Sequence, residues 1–150
     1  MRYVAPALLA MLLATASQAA TKVKHFAPEG VPASLTNAPP FSGAVLAGNT
    51  LYIAGTTDHD PATGKPGADA TIGAKMVLDS IKKTVENAGL TMDDLVWVQI
   101  FASDIKDFAA FNAVYRTYFK GSMPARAFIG ARSLLGGAHF EVMGIAVKSK

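Results

Sequence analysis

The 150-residue sequence contains no cysteine. Disulfide bonds, thiol nucleophiles and a lipid-modified N-terminal cysteine are therefore excluded. The sequence also lacks a block of charge of one sign, because its 14 basic and 11 acidic side chains are scattered and leave a net charge of +3. Scattered charge of this size is weak support for binding to nucleic acid or to a membrane surface.

Several motifs of catalysis and cofactor binding are missing as well. The chain has no glycine-rich phosphate-binding loop, no zinc-ligand spacing and no serine–histidine–aspartate arrangement that rises above chance. His59 stands in a loop, and no second histidine or carboxylate lies at the sequence spacing typical of metal ligands. We therefore interpret it as a solvated loop residue and expect no metal site.

The N-terminal segment has the three parts of a secretory signal. Arg2 precedes an apolar run from Val4 to Ala16, and the small residues of Ser17-Gln18-Ala19 follow it. The run is short for a membrane span, and a buried N-terminal helix is the alternative interpretation. We expect residues 1–19 to be a signal peptide and residues 20–150 to be a single domain, periplasmic or secreted and without stable membrane association after cleavage.

The exported form is expected to begin at Ala20, because the cleavage signal ends at Ala19. The intact mass of protein recovered from the periplasm or the medium measures this directly. A mature mass that still includes residues 1–19 would contradict the prediction.

Hydrophobic periodicity divides the remaining chain into strands and helices. A hairpin is predicted around Ala47-Gly48-Asn49, and a helix begins near Ala70, with Asp69 as N-cap and Gly89 after its end. A strand and a second helix with an aromatic stripe follow. The predicted order of elements after the first loop is strand, strand, helix, strand, helix, strand, strand. This order is typical of an α+β fold with two helices on one face of a mixed sheet.

The predicted strand Leu95–Ala102 is apolar on both faces. Such a strand is usually covered on both sides. Helices can cover one side, so the other side needs a second layer or another subunit.

Two extended segments joined by a Gly-Gly turn occupy residues 124–147. Alternation places Glu141 on the same face as Met143, Ile145 and Val147, where a carboxylate is costly unless something pairs with it or uses it. If the two segments pair as a hairpin, Arg126 comes near Glu141. The two charges then form either a structural salt bridge or a functional pair, and the residues alone leave both interpretations open.

From Ala38 to Val147 the sequence resembles the reactive intermediate deaminase family, the RidA or YjgF-type proteins. The order and spacing of several short segments carry the resemblance: Pro40 to Val45, Gly48 to Gly55, Asp60 to Gly64, Asp107 to Asn112, Tyr115, Tyr118-Phe119, Pro124 to Arg126 and Glu141 to Val147. The resemblance implies a chorismate-mutase-like α+β subunit and a homotrimer with sites between subunits.

The resemblance also implies an activity, the hydrolysis of enamines and imines of amino acids to 2-keto acids and ammonia without metal or organic cofactor. Arg126 matches the family arginine that holds the substrate carboxylate, and Glu141 matches the glutamate that activates water or moves a proton. Asn112 matches a pocket asparagine, and Gly55 matches the glycine that ends the pocket strand. The implied ligand is a small imino or keto acid.

Three positions depart from the pattern of active family members. Phe41 stands where they usually carry tyrosine, Ala54 where they usually carry serine, and Phe128 where a small residue is common. The first two changes remove hydroxyls, and a more apolar pocket favours larger, more apolar imino acids. Two alternatives to a deaminase therefore remain: a non-catalytic trimeric binding protein for small carboxylates, and an endoribonuclease, which the lack of a basic groove disfavours.

Overall fold

A six-stranded mixed sheet organises residues 20–31 and 38–148, which are the residues that the computed structural model describes. The predicted signal peptide lies outside these residues. The strands are β1 (Val23–Phe26), β2 (Ala44–Ala47), β3 (Thr50–Thr57), β4 (Leu95–Ala102), β5 (Ala125–Gly130) and β6 (Phe140–Val147), and the helices are α1 (Ala70–Asn87) and α2 (Phe108–Tyr115). Their order in the sheet is β1-β2-β3-β6-β4-β5, with β4 and β5 parallel and the other neighbours antiparallel. The predicted α+β class is confirmed.

Helix α1 begins and ends as its sequence predicts. The side chain of Asp69 accepts a hydrogen bond from the backbone N–H of Ile72 at 2.8 Å, which satisfies one of the free donors of the first turn. Gly89 follows the helix with a φ of 77°, a conformation that glycine adopts without strain. Helix α1 is buried against the sheet along one stripe, which consists of Ala74, Val77, Leu78, Ile81 and Val85.

Neither helix in the described part of the chain is both long and apolar enough to cross a membrane.

The two faces of the sheet have different environments. On the face covered by the helices, Phe140, Val142 and Ala146 of β6 are fully buried. On the opposite face, Trp97 aligns with Ile145, Gln99 with Met143 and Phe101 with Glu141, and all six residues are only partly buried. We call this the open face. Strand β4 is thus apolar on both sides, as predicted, and one side lacks a full cover within the subunit.

The hairpin between the last two strands is not formed, so that part of the sequence analysis is wrong. Strand β4 lies between β5 and β6 and pairs with both. A strand that is apolar on both faces is better placed inside a sheet than at its edge, where its unpaired backbone and side chains would remain in water. Arg126 aligns with Val98 on the helix-covered face, whereas Glu141 aligns with Phe101 on the open face.

A buried carboxylate that the sequence analysis missed joins β3 to β6. Asp58 follows β3, is 0% exposed, and accepts hydrogen bonds from the backbone N–H groups of His139 at 2.8 Å and Phe140 at 3.1 Å. Its second oxygen lies 3.3 Å from the N–H of Gly67 and 2.9 Å from Nδ1 of His139. A single side chain therefore connects the end of β3, the loop before α1 and the beginning of β6.

Replacing Asp58 by alanine is expected to destabilise the fold by about 3 kcal/mol, because three backbone donors would lose a buried acceptor. Urea unfolding of the two proteins measures the difference. The control is Asp60→Ala, because Asp60 also accepts backbone hydrogen bonds, from Ala62 and Thr63, but does so in an exposed turn. Equal unfolding free energies for Asp58→Ala and Asp60→Ala would show that the buried network contributes little.

Candidate functional site

A cavity of about 480 Å³ surrounds Glu141 where β3 meets β6. We call it the glutamate cavity. Its walls are Phe41, Ala54, Gly55, Thr57, His59, Leu135, Gly136 and Glu141 itself. Of the residues singled out by the resemblance, the structure thus places Phe41, Ala54, Gly55 and Glu141 around one space.

An irregularity in β3 makes room for the carboxylate of Glu141. Ile53 pairs with Gly144 and Thr56 with Val142, so β3 has one more residue than β6 over this interval and forms a bulge. The bulge contains Gly55, and a Cβ atom at Gly55 would collide with Oε1 of Glu141. A side chain at position 55 would therefore displace the carboxylate of Glu141, which lies directly against the backbone of Gly55.

The carboxylate of Glu141 has no hydrogen-bond or ion-pair partner within residues 20–31 and 38–148. Its side chain is partly buried, and its neighbours on the open face include Met143. A carboxylate in this position is costly unless a ligand, a water or a second chain compensates it. The arrangement is that of an unpaired carboxylate facing a cavity.

A second cavity of about 330 Å³ lies on the other side of the sheet, between the beginning of β5 and helix α2. We call it the arginine cavity. Its walls are Phe108, Asn112, Tyr115, Arg116, Met123, Pro124 and Arg126. Asn112 and Arg126, both predicted to bind substrate, therefore share this space.

Aromatic rings hold the guanidinium of Arg126. Its Cζ atom lies 4.8 Å from the ring centre of Tyr115, 5.7 Å from that of Phe108 and 5.9 Å from that of Phe128. Such contacts stabilise a cation without neutralising it. Phe128 does not line the cavity but packs beneath Arg126, with its ring 5.0 Å from that of Phe108.

Arg126 carries a positive charge that the described residues do not neutralise. It makes no ion pair or hydrogen bond there, and the adjacent Tyr115 stays a neutral phenol. Burial raises the pKa of Tyr115 to about 12, although the positive charge of Arg126 opposes the shift. An unpaired guanidinium in an aromatic cavity is a natural ligand for a carboxylate.

The structure does not bring Arg126 and Glu141 together within one subunit. Arg126 lies on the helix-covered face and Glu141 on the open face, so the sheet separates the two cavities. The glutamate cavity thus holds an unpaired negative charge, and the arginine cavity is positive, with Arg126 and the exposed Arg116 in its wall.

His59 is a residue of the site that the sequence analysis missed, and its interpretation as a solvated loop residue is wrong. It lines the glutamate cavity and is partly buried. Its Nδ1 lies 2.8 Å from Oγ1 of Thr57, and its Nε2 lies 3.3 Å from the backbone oxygen of Gly136. The contact with Gly136 spans 77 residues of sequence, so no local pattern could have revealed it.

Fold and cavities together define a small α+β subunit with an unpaired guanidinium on one side of the sheet and an unpaired carboxylate on the other. The chain belongs to the family described as Endoribonuclease L-PSP, whose model matches residues 32–148. This confirms the family resemblance drawn from the sequence.

Relatives of known name and structure support this membership. The chain is 36% identical over 121 residues to the 2-iminobutanoate/2-iminopropanoate deaminase of Mus musculus, covering 77% of this chain and 89% of the relative. It is similar to the crystal structure of the YjgF gene product of E. coli, with a TM-score of 0.74, 33% identity and coverage of 84% of this chain and 99% of the other. It is also similar to E. coli TdcF with bound serine, with a TM-score of 0.75, 28% identity and coverage of 84% and 99%.

Proposed function

We propose that the protein hydrolyses imines derived from amino acids, giving 2-keto acids and ammonia. The observation that carries the proposal is the presence of two unpaired charges, Arg126 and Glu141, each in its own cavity. The family and the relative named as an imine deaminase support the same activity.

The two side chains suit the two ends of an imino acid. The planar fork of Arg126 binds the carboxylate through two parallel hydrogen bonds. Glu141 takes a proton from a water molecule as the water oxygen forms a bond to the imine carbon. The proton is passed to the nitrogen, which gives a carbinolamine. A second proton then moves from the new hydroxyl to the nitrogen as the carbon–nitrogen bond breaks, so that a 2-keto acid and ammonia leave. The overall reaction consumes one water and needs no change of oxidation state.

The complete site is proposed to form between subunits, since one imino acid cannot reach both faces of one sheet. Contact between the open face of one copy and the helix-covered face of the next would combine Glu141 with Arg126. Contacts of this head-to-tail kind form a ring when the rotation between copies closes, and the trimer implied by the family resemblance is such a ring. The partly exposed Trp97, Met143 and Ile145 would be covered at the same time.

Light scattering should give the mass of three subunits, and a stable monomer would contradict this assembly.

A non-catalytic carboxylate-binding protein is the second candidate, and one observation favours it. The glutamate cavity holds few free polar groups, because Phe41 and Ala54 contribute none and the hydroxyl of Thr57 is engaged by His59.

Ribonuclease activity has less support. The lysines on the outer face of α1 are paired with carboxylates, as in Lys75–Asp79, Lys82–Glu86 and Lys83–Glu29, and are less available to phosphates.

We also propose that the reaction takes place in the periplasm or outside the cell. The proposal rests on the N-terminal pattern of Arg2, the apolar run and Ser17-Gln18-Ala19. An exported enzyme of this kind would act on imines formed outside the cytoplasm.

The activity is tested with imino acids generated by an amino-acid oxidase in the presence of semicarbazide, which traps the free imine. An active protein accelerates keto-acid release and lowers the yield of trapped imine. The mature protein, residues 20–150, is compared with the same amount of heat-denatured protein. Unchanged trapping together with measurable binding of 2-keto acids would favour the binding protein instead.

A further inference from the structure

The mouth of the glutamate cavity is apolar. Leu135 is 81% exposed and Phe41 is 56% exposed, and both line this cavity together with the methyl group of Ala54. Large apolar side chains that border a concave site in this way favour an apolar ligand group. Glu141 is the one carboxylate among the residues that line this cavity.

The position of Leu135 is fixed by its neighbours. It begins the turn Leu135–Gly137, whose two glycines have positive φ angles of 61° and 77°. The backbone of Gly136 packs so closely on His59 that a Cβ atom there would lie 2.5 Å from Nε2 of the ring. The hydrogen bonds of His59 to Thr57 and Gly136 thus attach this turn to the end of β3 and hold Leu135 at the mouth.

We infer that the glutamate cavity selects imino acids with large apolar side chains, such as those formed from leucine or phenylalanine, over iminoalanine. Leu135 and Phe41 contact the side chain of the substrate, and His59 acts as a positioning residue through Gly136. This inference rests on the proposed function, because it names the substrate class of the same site.

The expected preference follows from apolar burial. A single methylene in a hydrophobic pocket changes kcat/KM by about 10- to 200-fold in favourable cases. The side chain of leucine has three more carbons than that of alanine, so a preference of at least about tenfold is expected even where the mouth is partly open to water.

The experiment measures kcat/KM for imines generated from leucine and from alanine by amino-acid oxidases, using the wild-type protein and three variants. Leu135→Ser is expected to lower the leucine-to-alanine ratio by about tenfold, because it replaces the apolar wall by a hydroxyl. His59→Ala is expected to raise KM for the leucine-derived imine more than for iminoalanine, with kcat less affected. Val23→Ser is the matched control, since Val23 is 55% exposed on β1 and does not line the cavity, and its ratio should equal that of wild type.

The possible outcomes separate this inference from the proposed function. Turnover of both imines at equal kcat/KM by wild type would overturn the inference and leave the deaminase intact. Equal loss with both substrates in Leu135→Ser, together with a weakened oligomer, would also overturn it, because Leu135 would then only seal a contact between subunits. If neither imine is turned over, the deaminase proposal fails. The inference is then decided by calorimetry, where 4-methyl-2-oxopentanoate should bind at least about tenfold more tightly than pyruvate, and equal affinities would overturn it.

Discussion

Replacing Glu141 by glutamine is expected to lower kcat for imine hydrolysis by about 10²–10⁴-fold, the usual contribution of general acid–base catalysis. Glutamine preserves the shape that fits against Gly55 but cannot take a proton from water. The affinity for 2-keto acids should stay close to that of wild type, because the proposed mechanism assigns the carboxylate of the ligand to Arg126. The semicarbazide assay and calorimetry measure the two quantities separately.

The matched control for this change is Glu86→Gln. Glu86 is exposed on α1, its Oε1 lies 3.8 Å from Nζ of Lys82, and it lines neither the glutamate cavity nor the arginine cavity. Its removal should leave turnover within about twofold of wild type, since exposed ion pairs contribute little. A Glu141→Gln protein as active as wild type would show that Glu141 is a structural carboxylate and that another group activates the water.

The elements of this fold could be predicted because their signals are local. The cap at Asp69, the glycine after α1 and the apolar positions from Ala74 to Val85 lie within a few turns of one another. Strand β4 is likewise defined by eight consecutive residues, Leu95–Ala102, in both the sequence pattern and the structure. Local patterns of this kind fix where a helix or strand begins and ends.

The arrangement of the strands and part of the site could not be predicted, because they depend on contacts between distant residues. The hairpin of β5 and β6 was expected from their closeness in sequence, yet β4 intervenes in space. Asp58 bonds to His139 across 81 residues, and only the folded chain shows that its loop position is fully buried. Alternation placed Glu141 on the face of Met143 and Ile145, as in the structure, but the sequence pattern does not show that Arg126 lies on the opposite face of the sheet.

Replacing Arg126 by lysine is expected to raise the Kd for 2-keto acids by about 10- to 100-fold, the loss that corresponds to a hydrogen bond with a charged group. Lysine keeps the charge but lacks the planar fork, and its ammonium fits the space between the rings of Tyr115 and Phe108 less well. The value of kcat/KM for imines should fall by a similar factor. Arg132→Lys is the control, because Arg132 is exposed after β5 and lines neither cavity. Unchanged affinity in Arg126→Lys would show that Arg126 does not hold the ligand carboxylate.

The same residue also allows a test of the site between subunits. Arg126→Ala and Glu141→Gln are each expected to be nearly inactive, but unfolding and refolding them as an equal mixture should restore about a quarter of wild-type activity. In a head-to-tail trimer, each mixed ring contains one site that combines an intact Arg126 with an intact Glu141 from a different copy, and about three quarters of rings are mixed. If both residues of a site came from the same copy, no mixed ring would contain an intact site. Refolding each variant alone supplies the baseline, and a mixture no more active than these baselines would contradict a site shared between subunits.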